Sequence, residues 1–217
     1  MSNLFHGWRS MGRPVASLAS LLIGASLFVS LSGCVELLVG GAVVGGAMTV
    51  SDRRTLGAQT EDTAIAIKGE NRISSLFGDR VHVNVTSFNR KVLLTGEVVD
   101  AAMKAKVGQE IEQVQNVESV VNELQISPFS SSFTSRSNDV LVSGKIKAKL
   151  VDTPDIYANT FKVVVESGNV YMMGRVTKRE ADIAIAVTRD VSGVQKIVKV
   201  FEYIDESELT KLKEKKD

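Results

Sequence analysis

The chain has 217 residues, with 26 Lys and Arg against 25 Asp and Glu and a formal net charge of +1. Near-neutrality leaves no global field to draw it onto nucleic acid, and a single cysteine excludes an internal disulfide, a CxxC redox pair and a thiolate zinc cluster. With only 3 prolines and 44% hydrophobic residues, it is not a low-complexity chain.

Before Cys34 the only charged side chains are Arg9 and Arg13, and Val15 to Leu31 is apolar or small. A cationic start, an apolar run and small residues before a cleavage point are the order of a secretory signal peptide. The run also approaches transmembrane length, so an uncleaved anchor is the alternative. Leu31-Ser32-Gly33-Cys34 resembles a bacterial lipobox. That resemblance implies cleavage at Gly33–Cys34, a signal peptide over 1–33, and diacylglycerol and a further acyl chain (palmitate) on Cys34. Several chains anchor stably where one would be marginal. Val35 stands where an aspartate would favour inner-membrane retention, which implies the outer membrane.

Residues 34–60 form the lipidated cysteine and a tether. Leu37 to Val50 is apolar and glycine-rich, with Gly40, Gly41, Gly45 and Gly46. It reads as a flexible apolar tether at the membrane surface, or alternatively as a small-residue packing motif. Ser51 to Thr60 turns polar and leads into the first folded unit.

Two copies of one pattern follow. Val92-Leu93-Leu94-Thr95-Gly96-Glu97-Val98 matches Val170-Tyr171-Met172-Met173-Gly174-Arg175-Val176. Upstream, Val83-Asn84-Val85 matches Phe161-Lys162-Val163. Each copy is expected to run helix (about Thr63–Phe77, Asp139–Val151), hairpin (turns Phe88–Lys91, Ser167–Asn169), helix (about Ala101–Gln113, Arg179–Val191) and strand (about Val117–Ile126, Val194–Ile204). Alternation of Val81, Val83 and Val85 with His82 and Asn84 predicts one buried and one wet face, and Gly96 and Gly174 are expected to end the hairpins. The fold class is α+β, two tandem αββαβ domains over 61–127 and 138–205. The Ser-rich linker covers 128–137, and 206–217 is a charged tail read as a short solvated helix.

These residues resemble the BON domain, whose marks are a hairpin ending in G-x-V, a helix with small residues and a G-V step into the last strand. The second copy has Gly174-Arg175-Val176, Ala181 and Ala184, and Gly193-Val194; the first has Asn116 for the last glycine, which implies looser helix-to-strand geometry. The order lipobox, apolar spacer, BON, linker, BON is similar to that of dual BON-domain outer-membrane lipoproteins over essentially the whole chain.

The helices opening the two copies differ. Ile65, Gly69, Ile73, Leu76 and Phe77 share one arc of the first, with Lys68, Asn71, Arg72 and Ser75 opposite. The second is apolar on two sides. Val142, Ile146 and Leu150 are aligned with Gly69, Ile73 and Phe77 and assigned to the core. Leu141, Ala148 and Val151, with Gly144 between them, are aligned with Lys68, Ser75, Gly78 and Asn71, so the fold does not need them. Lys145, Lys147 and Lys149 flank this row. An apolar ridge edged with lysines suits a bilayer with anionic head groups; packing against the first domain or another subunit is the alternative. The resemblance implies anionic-phospholipid binding at this helix, by Leu141, Ile146 and Val151, and the flanking-lysine reading adds Lys145 and Lys149 to the expected contact. The family carries a tryptophan at the position of Leu141, an interfacial aromatic that this chain lacks.

Nothing in the sequence points to catalysis. His6 leaves with the signal peptide, and His82 is expected on the wet side of a strand with no second histidine for a metal site. No catalytic residue, metal or cofactor is expected. The function expected is that of a non-enzymatic lipoprotein, lipid-anchored in the outer membrane, facing the periplasm and supporting envelope integrity. The rival reading is an interaction adaptor for the outer-membrane assembly machinery.

Overall fold

The computed structural model describes residues 52–127 and 133–214; the lipobox, Cys34 and the glycine-rich spacer lie outside them. Thr55 caps the first helix by accepting a hydrogen bond from the Ala58 amide. Helix α1 is Leu56–Phe77, so it begins in the stretch expected to be only a lead-in. Strands β1 (Val81–Phe88) and β2 (Lys91–Val98) form an antiparallel hairpin, and Asp100 caps α2 (Ala101–Glu112). The last strand of this copy is interrupted into β3 (Ser119–Asn122) and β4 (Gln125–Ile126), both parallel to β2.

The second copy repeats the order with α3 (Phe133–Val151), β5 (Phe161–Glu166), β6 (Asn169–Val176), α4 (Lys178–Arg189) and β7 (Lys196–Tyr203). Helix α3 starts inside the expected linker. Thr177 and Glu180 close a capping box on α4. Strand β7 pairs with β6 along its whole length. Asn116 and Gly193 take the same left-handed conformation, at φ 70° and 101°, so the missing glycine does not alter the path of the turn there. The looser geometry of the first copy lies further on, where β3 gives way to β4.

Each copy buries one face of its sheet under its two helices. Ile65, Ile73, Phe77, Val92, Leu94 and Val107 belong to the first core; Val142, Ile146, Leu150, Val170, Met172 and Ala184 belong to the second. Leu76, expected in the first core, is instead exposed. Gly96 and Gly174 lie within β2 and β6 and do not end them. A Cβ at Gly96 would stand 2.1 Å from the His82 carbonyl oxygen, and one at Gly174 2.7 Å from that of Thr160. Close backbone approach across the hairpin therefore excludes any side chain at either position.

The other sheet faces are wet at one end, where Asn84 is exposed, but not across their middle. Phe88, Leu93, Tyr171, Met173 and Val200 form a third buried cluster, with Val121, Val164 and Val198 against it. The two sheets thus stack face to face, with each pair of helices on the outside. Polar ties surround this seam. Arg53, just before α1, places its guanidinium on Glu180 of α4 at 2.6 and 2.8 Å and on the Arg175 carbonyl at 2.8 Å. Lys162 donates to the Ser87 carbonyl and Asn89 to Glu202. A last helix, α5 (Glu206–Glu214), follows β7. It is not simply solvated, because Leu209 is buried and Arg175 pairs with Glu208. Among the described residues no helix is long and apolar enough to cross a membrane.

Candidate membrane-contact site

Helix α3 is held to its sheet by two devices. One is the apolar row Val142, Ile146 and Leu150, one residue per turn, all buried. The other is Asp139, whose carboxylate accepts from the Ser167 and Gly168 amides at 2.8 and 2.9 Å. Those amides form the two-residue turn between β5 and β6, where Ser167 and Gly168 both have positive φ, as a tight hairpin of this twist requires.

The first copy uses the same latch. Asp62 of α1 accepts from the Asn89 and Arg90 amides, again in a two-residue turn of positive φ, and from the Ser87 hydroxyl. Burial alone would raise this carboxyl; the bonds from Ser87, Arg90, Asn89 and Arg54 more than offset that and hold it below the ordinary range.

Asp62 and Asp139 are therefore equivalent positions, which corrects the alignment of the two helices by one turn. Val142, Ile146 and Leu150 correspond to Ile65, Gly69 and Ile73, not to Gly69, Ile73 and Phe77. The counterparts of Leu141, Gly144, Ala148 and Val151 become Ala64, Ile67, Asn71 and Ser74. The two helices still differ on this face. The first helix shows one large apolar side chain there, exposed Ile67, after half-buried Ala64 and before polar Asn71 and Ser74; the second shows a continuous strip.

That strip lies directly opposite the core. At about 100° per residue, Val140, Leu141, Gly144, Ala148 and Val151 share one arc facing away from Ile146. Val140, Leu141 and Val151 are 71%, 62% and 69% exposed. A Cβ at Gly144 would meet nothing within 4 Å, so the middle of the strip is open. Lys145 runs along one edge and Lys147 along the other, with Lys149 a step further round toward α4, all exposed. No acid occurs from Val140 to Val151. On α1 the exposed charges are mixed, with Glu70 beside Lys68.

Of the residues expected to touch lipid, Leu141, Lys145 and Val151 stand on this outer surface; Lys149, though exposed, lies further round toward α4 and donates to the Asp190 carbonyl at 3.4 Å. Ile146 does not: it is 0% exposed, in the centre of the second core, and cannot reach a bilayer while the domain is folded. Val140 belongs with the strip and was missed, although one helical wheel places it beside Leu141 and Gly144. Burial of the strip against the first domain does not occur, because that domain covers the sheet.

His82 also departs from expectation. Its side of β1 turns toward the second domain, and its Nδ1 lies 2.8 Å from Glu97 Oε2 on β2.

The BON domain family model matches residues 70–128 and 138–205. The chain is 35% identical over 194 residues to the outer membrane lipoprotein DolP of Haemophilus influenzae, spanning 88% of this chain and 98% of that one. It is 27% identical over 155 residues to a 21 kDa hemolysin of Actinobacillus pleuropneumoniae, spanning 70% and 79%. Among solved structures it is similar to CdsD, a structural protein of the type III secretion system of Chlamydia trachomatis. That match has 13% identity over 71% of this chain and 96% of that one, and at a TM-score of 0.29 it carries no argument.

Proposed function

The chain belongs to the BON domain family, and we propose that it is a non-enzymatic outer-membrane lipoprotein that rests α3 of its second domain on anionic phospholipid. Acyl chains on Cys34 would hold it to the inner leaflet, with both domains in the periplasm, where lipid contact supports envelope integrity. The observation that carries the reading is the strip on α3: three large apolar side chains, all more than half exposed, on a face that neither core uses. A soluble domain has no folding reason to hold such a row in water. The lysines at its edges add about 1 kcal/mol each near an anionic surface.

The test is flotation of protein lacking the residues before Ser51 with phosphatidylglycerol vesicles and with phosphatidylcholine vesicles. Binding to the first and not the second is expected. Fully burying such a side chain is worth about 1.5–3 kcal/mol, and Leu141 and Val151 each have about two thirds of that to gain. Leu141→Glu with Val151→Glu should therefore weaken binding by at least about thirtyfold with unchanged circular dichroism. Undiminished binding by the double variant would remove α3 from the contact, and equal binding to neutral vesicles would remove the role of the lysines.

A further inference from the structure

Beyond the lipid surface, the seam between the domains gathers three groups far apart in sequence. His82 of β1 and Glu97 of β2 are cross-strand partners, which sets their side chains next to one another. Glu166, at the end of β5, approaches from the other domain. One potential ligand atom from each lies within 4.8 Å of the others. Glu97 and Glu166 are each 6% exposed. Asn84 donates to Glu166 Oε2 at 2.9 Å and so orients that carboxylate. Burial first, and then the neighbouring Glu97, push the Glu166 carboxyl above its ordinary range, with His82 opposing.

Two buried carboxylates this close repel each other, and the His82 ring on Glu97 and the Asn84 amide on Glu166 offset only part of that cost. A nitrogen and two carboxylate oxygens converging on one point are instead a ligand set suited to a divalent transition ion. Zinc bonds of about 2.0–2.2 Å place such ligands roughly 3–3.5 Å apart, reached from this arrangement by small side-chain rotations. The absence of a second histidine is no obstacle, because carboxylates from two domains take its place. Access is open on two sides. His82, Asn84 and Glu166 line one groove, and His82 and Glu97 line another.

We propose that His82, Glu97 and Glu166 form a zinc-class divalent metal site that fastens the two domains together. On binding, the imidazole proton sits on Nε2, which leaves the His82 Nδ1 lone pair for the ion, and the ion's charge neutralises both carboxylates. Because the ligands come from both domains, the metal binds only the docked pair and stabilises it.

The test uses the full untagged chain in detergent, stripped with chelator and titrated with zinc chloride against a chromophoric competitor. One zinc per chain, of micromolar affinity or tighter, is expected, together with a higher melting temperature. His82→Ala and Glu166→Gln should each weaken binding by at least about tenfold while leaving the circular dichroism unchanged; Glu97→Gln replaces either variant that does not fold. No saturable binding in the micromolar range, or a loss smaller than tenfold in either variant, overturns the site.

Discussion

Replacing Arg53 by methionine keeps most of its aliphatic volume and removes the charge. In the native protein its guanidinium is clamped to Glu180, with side chains 6% and 3% exposed, and to the Arg175 carbonyl. Methionine leaves the Glu180 carboxylate buried with only the bond it accepts from the Thr177 amide. Breaking a buried pair in this way costs about 3 kcal/mol, more than the pair itself is worth against an apolar replacement. The loss should depend on pH in a defined direction. Burial alone would raise the Glu180 carboxyl, but the bonds from Arg53 and Thr177 more than offset it and hold it below the usual range. A depressed acid contributes stability that is present above its unfolded value and is lost as pH falls through its folded one. Without Arg53 the folded value rises, so the deficit of Arg53→Met should be largest at neutral pH. It should shrink as pH falls from the ordinary carboxylate range through the depressed folded value of Glu180, below which the acid is protonated in both proteins. Urea unfolding followed by circular dichroism at several pH values measures it. Arg53→Met with Glu180→Gln should recover most of the neutral-pH loss. A deficit under about 1 kcal/mol at neutral pH, or one that is flat with pH, would refute the argument.

Three further outcomes follow from the same geometry. Asp139→Ala removes the acceptor for both turn amides; it should cost about 2 kcal/mol and speed hydrogen exchange at Ser167 and Gly168, with Asp139→Asn in between. Gly96→Ala sets a Cβ on the His82 carbonyl at a φ of +113°; the hairpin must part, and a loss of at least about 3 kcal/mol is expected in thermal melts. Burial, with Glu123 and Glu166 adding to it, pushes the Tyr171 phenol up to about 12. Since the unfolded phenol loses its proton near 10.0, stability should fall as pH rises from there toward 12. Ultraviolet titration should show a late phenol step that Tyr171→Phe abolishes.

The fold was legible in the sequence because it is written in local periods. Alternating valines, the repeated hairpin with its glycine and the four-residue spacing of Val142, Ile146 and Leu150 each settle which face an element buries against its own partner. The extra apolar row on α3 was visible by the same token, since residues on one helix face are read from spacing alone. Helix ends were read less well. Leu56 and Phe133 both lie upstream of the expected starts, in polar stretches with no apolar period to mark them; Thr55 caps the first.

Composition and spacing by themselves determined two αββαβ units, their cores and the odd greasy face of one helix, because these depend on neighbours a few residues away in the chain. Only the tertiary structure decided that the sheets stack on each other, since that docking joins residues about a hundred positions apart. The docking leaves α3 facing outward, makes Arg53 a buried tie, and turns His82 from a solvated strand residue into part of an interdomain cluster. Leu93, Tyr171, Met173 and Val200 carried the signal, being apolar on the strand faces opposite the helices. Their alternation marks a second buried face, but no local period says what covers it.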